Sequence, residues 1–119
     1  MPPRSVALYL SDIIEAAESI QSFVEGQSFD EYRKDRVLRP AVERNFIIIG
    51  EALNQAIQMD TGLATEISDA HQIVRVRHRL THGYFTVADD IIWGIIKDHL
   101  ATLIAETRRA LGERDARRK

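Results

Sequence analysis

The spacing of apolar residues is the feature that most constrains what this chain can fold into. Near the N-terminus the apolar positions recur every three or four residues, which places them on one face of an α-helix. They are Val6, Leu10, Ile13, Ala17, Ile20 and Val24. Ser5 can cap this helix and Gly26 can end it. No segment alternates with period two for long enough to predict a strand. The pattern therefore predicts an all-α fold.

Two further helices are predicted before the middle of the chain. The sequence SFDE at residues 28–31 fits a capping box for a short helix that begins near Asp30. Asp35 can cap a long third helix, which ends before the turn at residues 60–62. Pro40 lies near the start of this helix, where a proline is tolerated more easily than in the interior.

The second half of the chain predicts two more helices. One runs from Glu66 to about His82, with Ser68 as an alternative start. The other follows a capping arrangement at residues 86–89 and ends at Gly112. Its apolar face consists of Ile92, Ile96, Leu100 and Leu103. The expected architecture is an up-and-down bundle of four long helices plus one short helix.

Composition limits the class of protein. The 119 residues, 45% hydrophobic and 29% charged, suit one globular domain, which we place at residues 1–112 with a basic tail at residues 113–119. The absence of cysteine excludes disulfides and thiolate metal sites. No signal peptide and no run of about 18 apolar residues is present, so we expect a cytoplasmic protein. A net charge of −2 argues against bulk electrostatic binding to nucleic acid.

Two of the predicted helices carry more apolar surface than one stripe requires. Residues 46–49 read FIII, and residues 91–96 repeat this excess. Such a helix lies either at the centre of the bundle or in a dimer interface, and we favour a homodimer. Gly50 lies within the third helix, where glycine costs about 1 kcal/mol relative to alanine. Close approach of a neighbouring helix would explain it.

The sequence RVRHRLTHGYF at residues 75–85 concentrates basic groups. On a helix, Arg77 falls on or beside the apolar stripe, where a guanidinium needs a partner. One interpretation is a salt bridge, with Glu51 as a candidate partner. The other is a half-buried cation that binds a phosphate, for which the planar guanidinium is well suited.

The two histidines of this segment allow two further interpretations. His78 and His82 are four residues apart, a spacing at which two imidazoles can bind zinc, but no acidic residue between His71 and Tyr84 supplies a third ligand. Alternatively, His82 acts as a base and Arg77 stabilises a phosphate, a sufficient pair for RNA because its 2′-hydroxyl is the nucleophile. An ideal helix separates these two residues by about 140°. Either the helix ends at Gly83 and reorients His82, or two chains complete the site.

Together with the following DDIIWGIIKDHLATL, this segment resembles the signature region of HepT-like proteins, toxins of the HEPN superfamily of all-α ribonucleases. The superfamily motif corresponds to Arg77, His78 and His82, and the HepT branch adds a tyrosine that matches Tyr84. AVERNFIIIGEAL at residues 41–53 is similar to the third helix of the family, and the resemblance spans about residues 28–111. Many members have asparagine at the position of His78, and many lack a proline at position 40.

The resemblance implies a metal-independent endoribonuclease, without cofactor, that acts as the toxin of a toxin–antitoxin module. Two chains would pair so that both motifs face one cleft. His82 would accept the 2′-hydroxyl proton, Arg77 would stabilise the phosphorane, and His78 would position either group or the RNA. The partner would be an MntA-like nucleotidyltransferase that transfers AMP to Tyr84.

A different class of function also fits the sequence. The chain could form a non-catalytic helical dimer that binds nucleotide or recruits a nucleotidyltransferase. Tyr84 could equally be a core aromatic residue whose hydroxyl reaches an interface partner. His71 and His99 are interpreted as structural histidines, and Trp93 as a packing residue.

Overall fold

A computed structural model describes residues 4–82 and 88–118 of the chain, in which every regular element is an α-helix. The helices are α1 (Val6–Val24), α2 (Phe29–Lys34), α3 (Leu38–Met59), α4 (Leu63–Glu66), α5 (Ala70–His82), α6 (Asp89–Asp98) and α7 (Leu100–Arg118). The all-α prediction is confirmed. None of these helices is both long enough and apolar enough to cross a bilayer.

Helix α3 is the centre of the bundle. It packs against α1 on one side and α5 on the other, while α7 packs against α1. The short helices α2 and α4 also contact α3. Phe46, Ile49 and Leu53 are fully buried, and Ile47 and Ile48 are half-buried. The apolar excess of this helix is therefore largely explained by its central position within one chain.

The predicted caps are confirmed at two helix starts, while Asp35 bonds to the backbone just before α3, whose N-cap position is Val37. Ser5 accepts a hydrogen bond from the backbone N–H of Leu8 at 3.2 Å, and Ser28 forms the complete capping box with Glu31. The Asp35 carboxylate accepts from the N–H groups of residues 37 and 38, both at 2.9 Å, and these bonds hold the pKa of that carboxyl below its usual value. Pro40 is the third residue of α3. The first N–H groups of a helix have no partner within it, so the proline costs no helical hydrogen bond at this position.

The predicted boundaries are wrong at several places in the second half of the chain. The expected fourth helix begins at Ala70 instead of Glu66 or Ser68, although it ends at His82 as predicted, and residues Leu63–Glu66 form the separate short helix α4. The hydroxyl of Ser68 donates to Glu106. The expected fifth helix is interrupted at His99, whose ring lies 3.0 Å from a carboxylate oxygen of Asp69. The cap predicted at residues 86–89 falls partly outside the described residues.

Helix α7 continues through Gly112 to Arg118, so the prediction that Gly112 ends the helix is wrong. A glycine ends a helix in the left-handed conformation, which among the described glycines only Gly26 adopts, with φ of 75°. Beyond Gly112, Arg114 is buried and binds the carboxylates of Asp60 and Glu66 at 2.8 and 2.7 Å. The division into a domain of residues 1–112 and a tail of residues 113–119 stays a prediction.

Candidate active site

Gly50 and Arg77 lie opposite each other where α3 meets α5. A Cβ atom at position 50 would lie 2.1 Å from the Cβ of Arg77 and 2.7 Å from its Cγ. Only a residue without a side chain allows the two helices to approach this closely at Arg77. The close approach predicted from the mid-helix glycine is confirmed, and it fixes the base of the Arg77 side chain.

The Arg77 guanidinium is half-buried and has one carboxylate partner. Its Nη2 atom donates to Oε1 of Glu51 at 3.3 Å, so the ion pair considered from the sequence is present. The Arg77 side chain is 26% exposed and that of Glu51 is 53% exposed. The buried Nε atom of Arg77 has no hydrogen-bond partner among the described residues. Among residues 4–82 and 88–118, Glu51 is the one carboxylate that pairs with this permanently charged group, which leaves other N–H donors for an anion.

His82 is the last residue of α5 and is exposed. Its Nδ1 atom lies 3.0 Å from the carbonyl oxygen of His78 and 3.1 Å from the hydroxyl of Thr81. Since a carbonyl oxygen can only accept, a hydrogen bond to His78 requires the tautomer that carries the imidazole proton on Nδ1. In that tautomer of the neutral ring, Nε2 carries the lone pair. The arrangement suits Nε2 to accept a proton from a substrate.

His78 supports His82 through its backbone and its ring. The two imidazole centroids are 4.0 Å apart, with an angle of 30° between the ring planes. The hydroxyl of Thr81 can donate to the carbonyl oxygen of Arg77 at 3.1 Å, and its oxygen can then share the Nδ1 proton of His82 with the carbonyl of His78 in a bifurcated hydrogen bond. Thr81 was not identified from the sequence, although its position beside His82 was a usable signal.

Arg77 and His82 lie on different sides of α5. The helix is regular through His82, so the offset of about 140° expected for five residues is retained. Arg77 faces α3, whereas His78 and His82 are exposed. Gly83, at which the sequence suggested that the helix might reorient, and Tyr84, the candidate AMP acceptor, lie outside the described residues.

A cleft of about 490 Å³ adjoins Arg77 between α1, α3 and α5. Arg4, Tyr9 and Asp12 line it from the N-terminal part of the chain, Glu51, Asn54 and Gln55 from α3, and Arg77 from α5. The sequence contains no local sign of this cleft, because its walls come from three helices that are separated along the chain. Within residues 4–82 and 88–118, no group of three or more His, Asp or Glu side chains is close enough to hold a metal ion.

Comparison with known proteins identifies the family. Residues 13–110 match the family model described as "Ribonuclease HepT-like". "Probable ribonuclease HepT" of Thermococcus cleftensis is 34% identical over 100 residues, which are 84% of this chain and 90% of that protein. "Putative RNase MJ0127" of Methanocaldococcus jannaschii is 31% identical over 106 residues, 89% of this chain and 87% of that protein. No solved structure matches. The family model covers most of the chain, which therefore belongs to the HepT-like ribonuclease family.

Proposed function

We propose that this protein is a metal-independent endoribonuclease and the toxin of a toxin–antitoxin module. Family membership and the ribonuclease names of its relatives support RNA as the substrate. The observation that carries the proposal is the state of His82, whose exposed ring is held through Nδ1. Helix α5 thus presents a candidate base and, five residues earlier, a half-buried cation that pairs with Glu51.

In the proposed reaction, Nε2 of His82 accepts the proton of the 2′-hydroxyl. The 2′-oxygen attacks the adjacent phosphorus, the bond to the 5′-oxygen breaks, and a 2′,3′-cyclic phosphate forms. The departing 5′-oxygen takes up a proton from water, and His82 later releases its own proton to the solvent. No further nucleophile is needed because RNA carries its own.

Arg77 stabilises the negative charge that accumulates on the phosphorane. A preorganised donor of this kind contributes about 3 kcal/mol to transition-state stabilisation. The ion pair with Glu51 orients the guanidinium, while its single contact of 3.3 Å leaves donors for the phosphate. His78 fixes the tautomer of His82 through its carbonyl oxygen and borders it with its ring.

A homodimer reconciles the chemistry with the offset of Arg77 and His82 around α5. If two α5 helices face each other about a two-fold axis, Arg77 of one chain meets His82 of the other across a shared cleft. The proposed catalytic pair then comes from two chains, and each dimer contains two such pairs.

The proposed antitoxin is an MntA-like nucleotidyltransferase that transfers AMP to Tyr84. Tyr84 follows His82 by two residues, so a nucleotide there adds bulk and negative charge beside the base and repels RNA phosphates. Incubation with the partner and ATP is expected to increase the mass by AMP units in the wild-type chain and not in Tyr84→Phe. A mass increase that persists in Tyr84→Phe would place the modification elsewhere.

Cleavage of a labelled RNA in EDTA tests the nuclease directly. Wild-type protein is expected to leave cyclic phosphate ends, whereas His82→Ala and Arg77→Ala are each inactive with unchanged helix content. His71→Ala, which removes an exposed histidine of the same helix, is the matched control and is expected to retain activity. Activity lost by the wild type in EDTA, or retained by His82→Ala, would refute the assignment.

Co-expression of the two inactive variants tests the shared site. Half of the dimers formed at random contain one chain of each type, and one of the two sites in such a dimer has an intact Arg77 and His82. Activity is therefore expected to return to about one quarter of the wild-type value if each site combines residues from both chains. If both residues of a site come from the same chain, the mixture stays inactive.

The ion pair between Arg77 and Glu51 supports a second candidate function. If that pair is the only role of Arg77, the protein is a non-catalytic dimer that binds nucleotide or recruits the nucleotidyltransferase. Glu51→Gln distinguishes the two, because it removes the charge of the partner but leaves Arg77 in place. Loss of stability without a change in cleavage per folded molecule would indicate a structural pair.

A further inference from the structure

The cleft between α1, α3 and α5 shares one side chain with the proposed catalytic pair. Arg77 lines the cleft while its backbone belongs to the helix that carries His82. A molecule held in the cleft is therefore in contact with the cation assigned to the phosphate. At about 490 Å³, the cleft has the size of a small-molecule site.

One wall of the cleft is suited to stacking. The Tyr9 ring is half-buried, and the Arg4 guanidinium lies 5.2 Å from its centroid. Proteins that bind single-stranded RNA stack unpaired bases on aromatic rings and on guanidinium planes. Both groups are present here, and since the guanidinium lies over the Tyr9 ring, a base that stacks on the same face of the ring takes the place of Arg4.

The opposite wall carries hydrogen-bonding groups. Asn54 and Gln55 are successive residues of α3, and both line the cleft together with Glu51. A side-chain amide offers donors and an acceptor at once, which matches the mixed donor and acceptor edge of a nucleobase. A stacking wall and an amide wall together are appropriate for a base.

The charges of the cleft favour a neutral group. Arg4 is paired with Asp12 at 2.8 Å, and Arg77 with Glu51 at 3.3 Å. Each cation that lines the cleft thus has an adjacent carboxylate, and two carboxylates inside the cleft would repel a phosphate. The charges inside the cleft therefore suit a neutral base better than a phosphate.

We propose that this cleft binds a nucleobase of the RNA strand, that of a nucleotide next to the cleaved phosphate. The proposal rests on the proposed ribonuclease function and extends it. In this proposal the cleft determines which base is preferred next to the cleaved phosphate. Tyr9 stacks on the base, and Asn54 and Gln55 form hydrogen bonds to its edge.

Binding of non-cleavable RNA separates this proposal from catalysis. The probes are four homopolymeric 2′-O-methyl tetranucleotides, one for each base, titrated by calorimetry into the full chain. We expect the four to differ in affinity. Tyr9→Leu keeps apolar volume but removes the stacking ring and is expected to weaken the best probe about tenfold, whereas Tyr9→Phe retains its affinity.

Gln55→Ala tests the amide wall with an exposed residue whose truncation leaves the fold unaffected. It is expected to reduce the differences among the four probes, because a lost contact to a base edge weakens discrimination. The matched control is Gln58→Ala, an exposed glutamine of the same helix that does not line the cleft. It is expected to leave all four affinities unchanged.

The outcomes distinguish the two proposals. If RNA is cleaved but neither Tyr9→Leu nor Gln55→Ala changes probe affinity or base preference, the nuclease assignment stands and the base site is wrong. If the probes bind with the expected effects of these variants but no RNA is cut, the base site stands and the nuclease assignment is wrong. Equal effects of Gln55→Ala and Gln58→Ala would also refute the base site.

Discussion

Replacing Gly50 with alanine sets two effects of opposite sign against each other. In a helix, alanine is favoured over glycine by about 1 kcal/mol, so propensity alone predicts a more stable protein. The added methyl group, however, would lie 2.1 Å from Cβ of Arg77. Carbon atoms in good contact are about 3.5–4.0 Å apart, which leaves a shortfall of at least about 1.4 Å.

The contacted atom decides which effect is larger. Cβ of Arg77 is fixed to the backbone of α5 and cannot rotate away, so α3 and α5 must separate. Overpacking of this kind costs about 1–3 kcal/mol, and a clash with a rigid atom belongs at the upper end. After subtraction of the gain in propensity, we expect Gly50→Ala to destabilise the protein by about 2 kcal/mol. For a chain of this size the melting temperature then falls by roughly 8 °C.

Thermal and urea unfolding of Gly50→Ala measure this difference. Gly112→Ala is the matched control, because an added Cβ there meets nothing within 4 Å and propensity alone applies. It is expected to stabilise the protein by up to about 1 kcal/mol. If Gly50→Ala is as stable as Gly112→Ala, the helices are not in contact at Arg77 as described. Cleavage per folded molecule is also expected to fall in Gly50→Ala, since Arg77 is displaced.

Two further predictions concern residues that the sequence pattern did not indicate. Thr81→Val is expected to lower the cleavage rate about tenfold with unchanged stability, since it removes the hydroxyl beside His82 Nδ1. Thr81→Ser keeps the hydroxyl and is expected to cleave at the wild-type rate. Equal rates for the wild type and both variants would show that the hydroxyl does not position the ring. Arg114→Ala should cost about 2–3 kcal/mol in urea unfolding near neutral pH, because Asp60 and Glu66 lose their shared partner. Arg114 holds the pKa of Glu66 below its usual value of 4.5, so this contribution is present above that pH and is lost as the pH falls through the lowered pKa. A difference between wild type and Arg114→Ala that is unchanged down to pH 2 would refute it.

Local signals in the sequence predicted the features that depend on neighbouring residues. Ser5 and Ser28 cap their helices through bonds to residues three positions away. The apolar spacing identified the buried face of α1, and that of α6 and α7 at Ile92, Ile96, Leu100 and Leu103. The pairing of Arg77 with Glu51 is long-range, yet it was anticipated because a cation beside an apolar stripe requires a partner.

Features that depend on distant residues were not predictable in the same way. The apolar pattern runs without a break from Ile92 to Leu103, so it contains no sign of the interruption at His99, where Asp69 from a preceding segment contacts the ring. Arg114 belongs to a network with residues 48 and 54 positions earlier in the chain. The cleft around Tyr9 was missed for the same reason, since a site made by three helices has no spacing of its own in the sequence.

The two halves of the proposed catalytic pair differ in how firmly the fold holds them. Arg77 is fixed by the glycine opposite it and by Glu51, whereas His82 is an exposed residue at the end of α5 whose described hydrogen bonds are all to its own helix. A substitution in α3 is therefore expected to alter cleavage by displacing Arg77. A change to the residues after His82 is expected to alter cleavage through its effect on the base. In the proposed mechanism, AMP on Tyr84 acts at the exposed half, where added bulk and charge block RNA without disturbing the packing of α3 on α5. Helix α5 thus combines a residue packed against the core, Arg77, with an exposed residue at its end, His82.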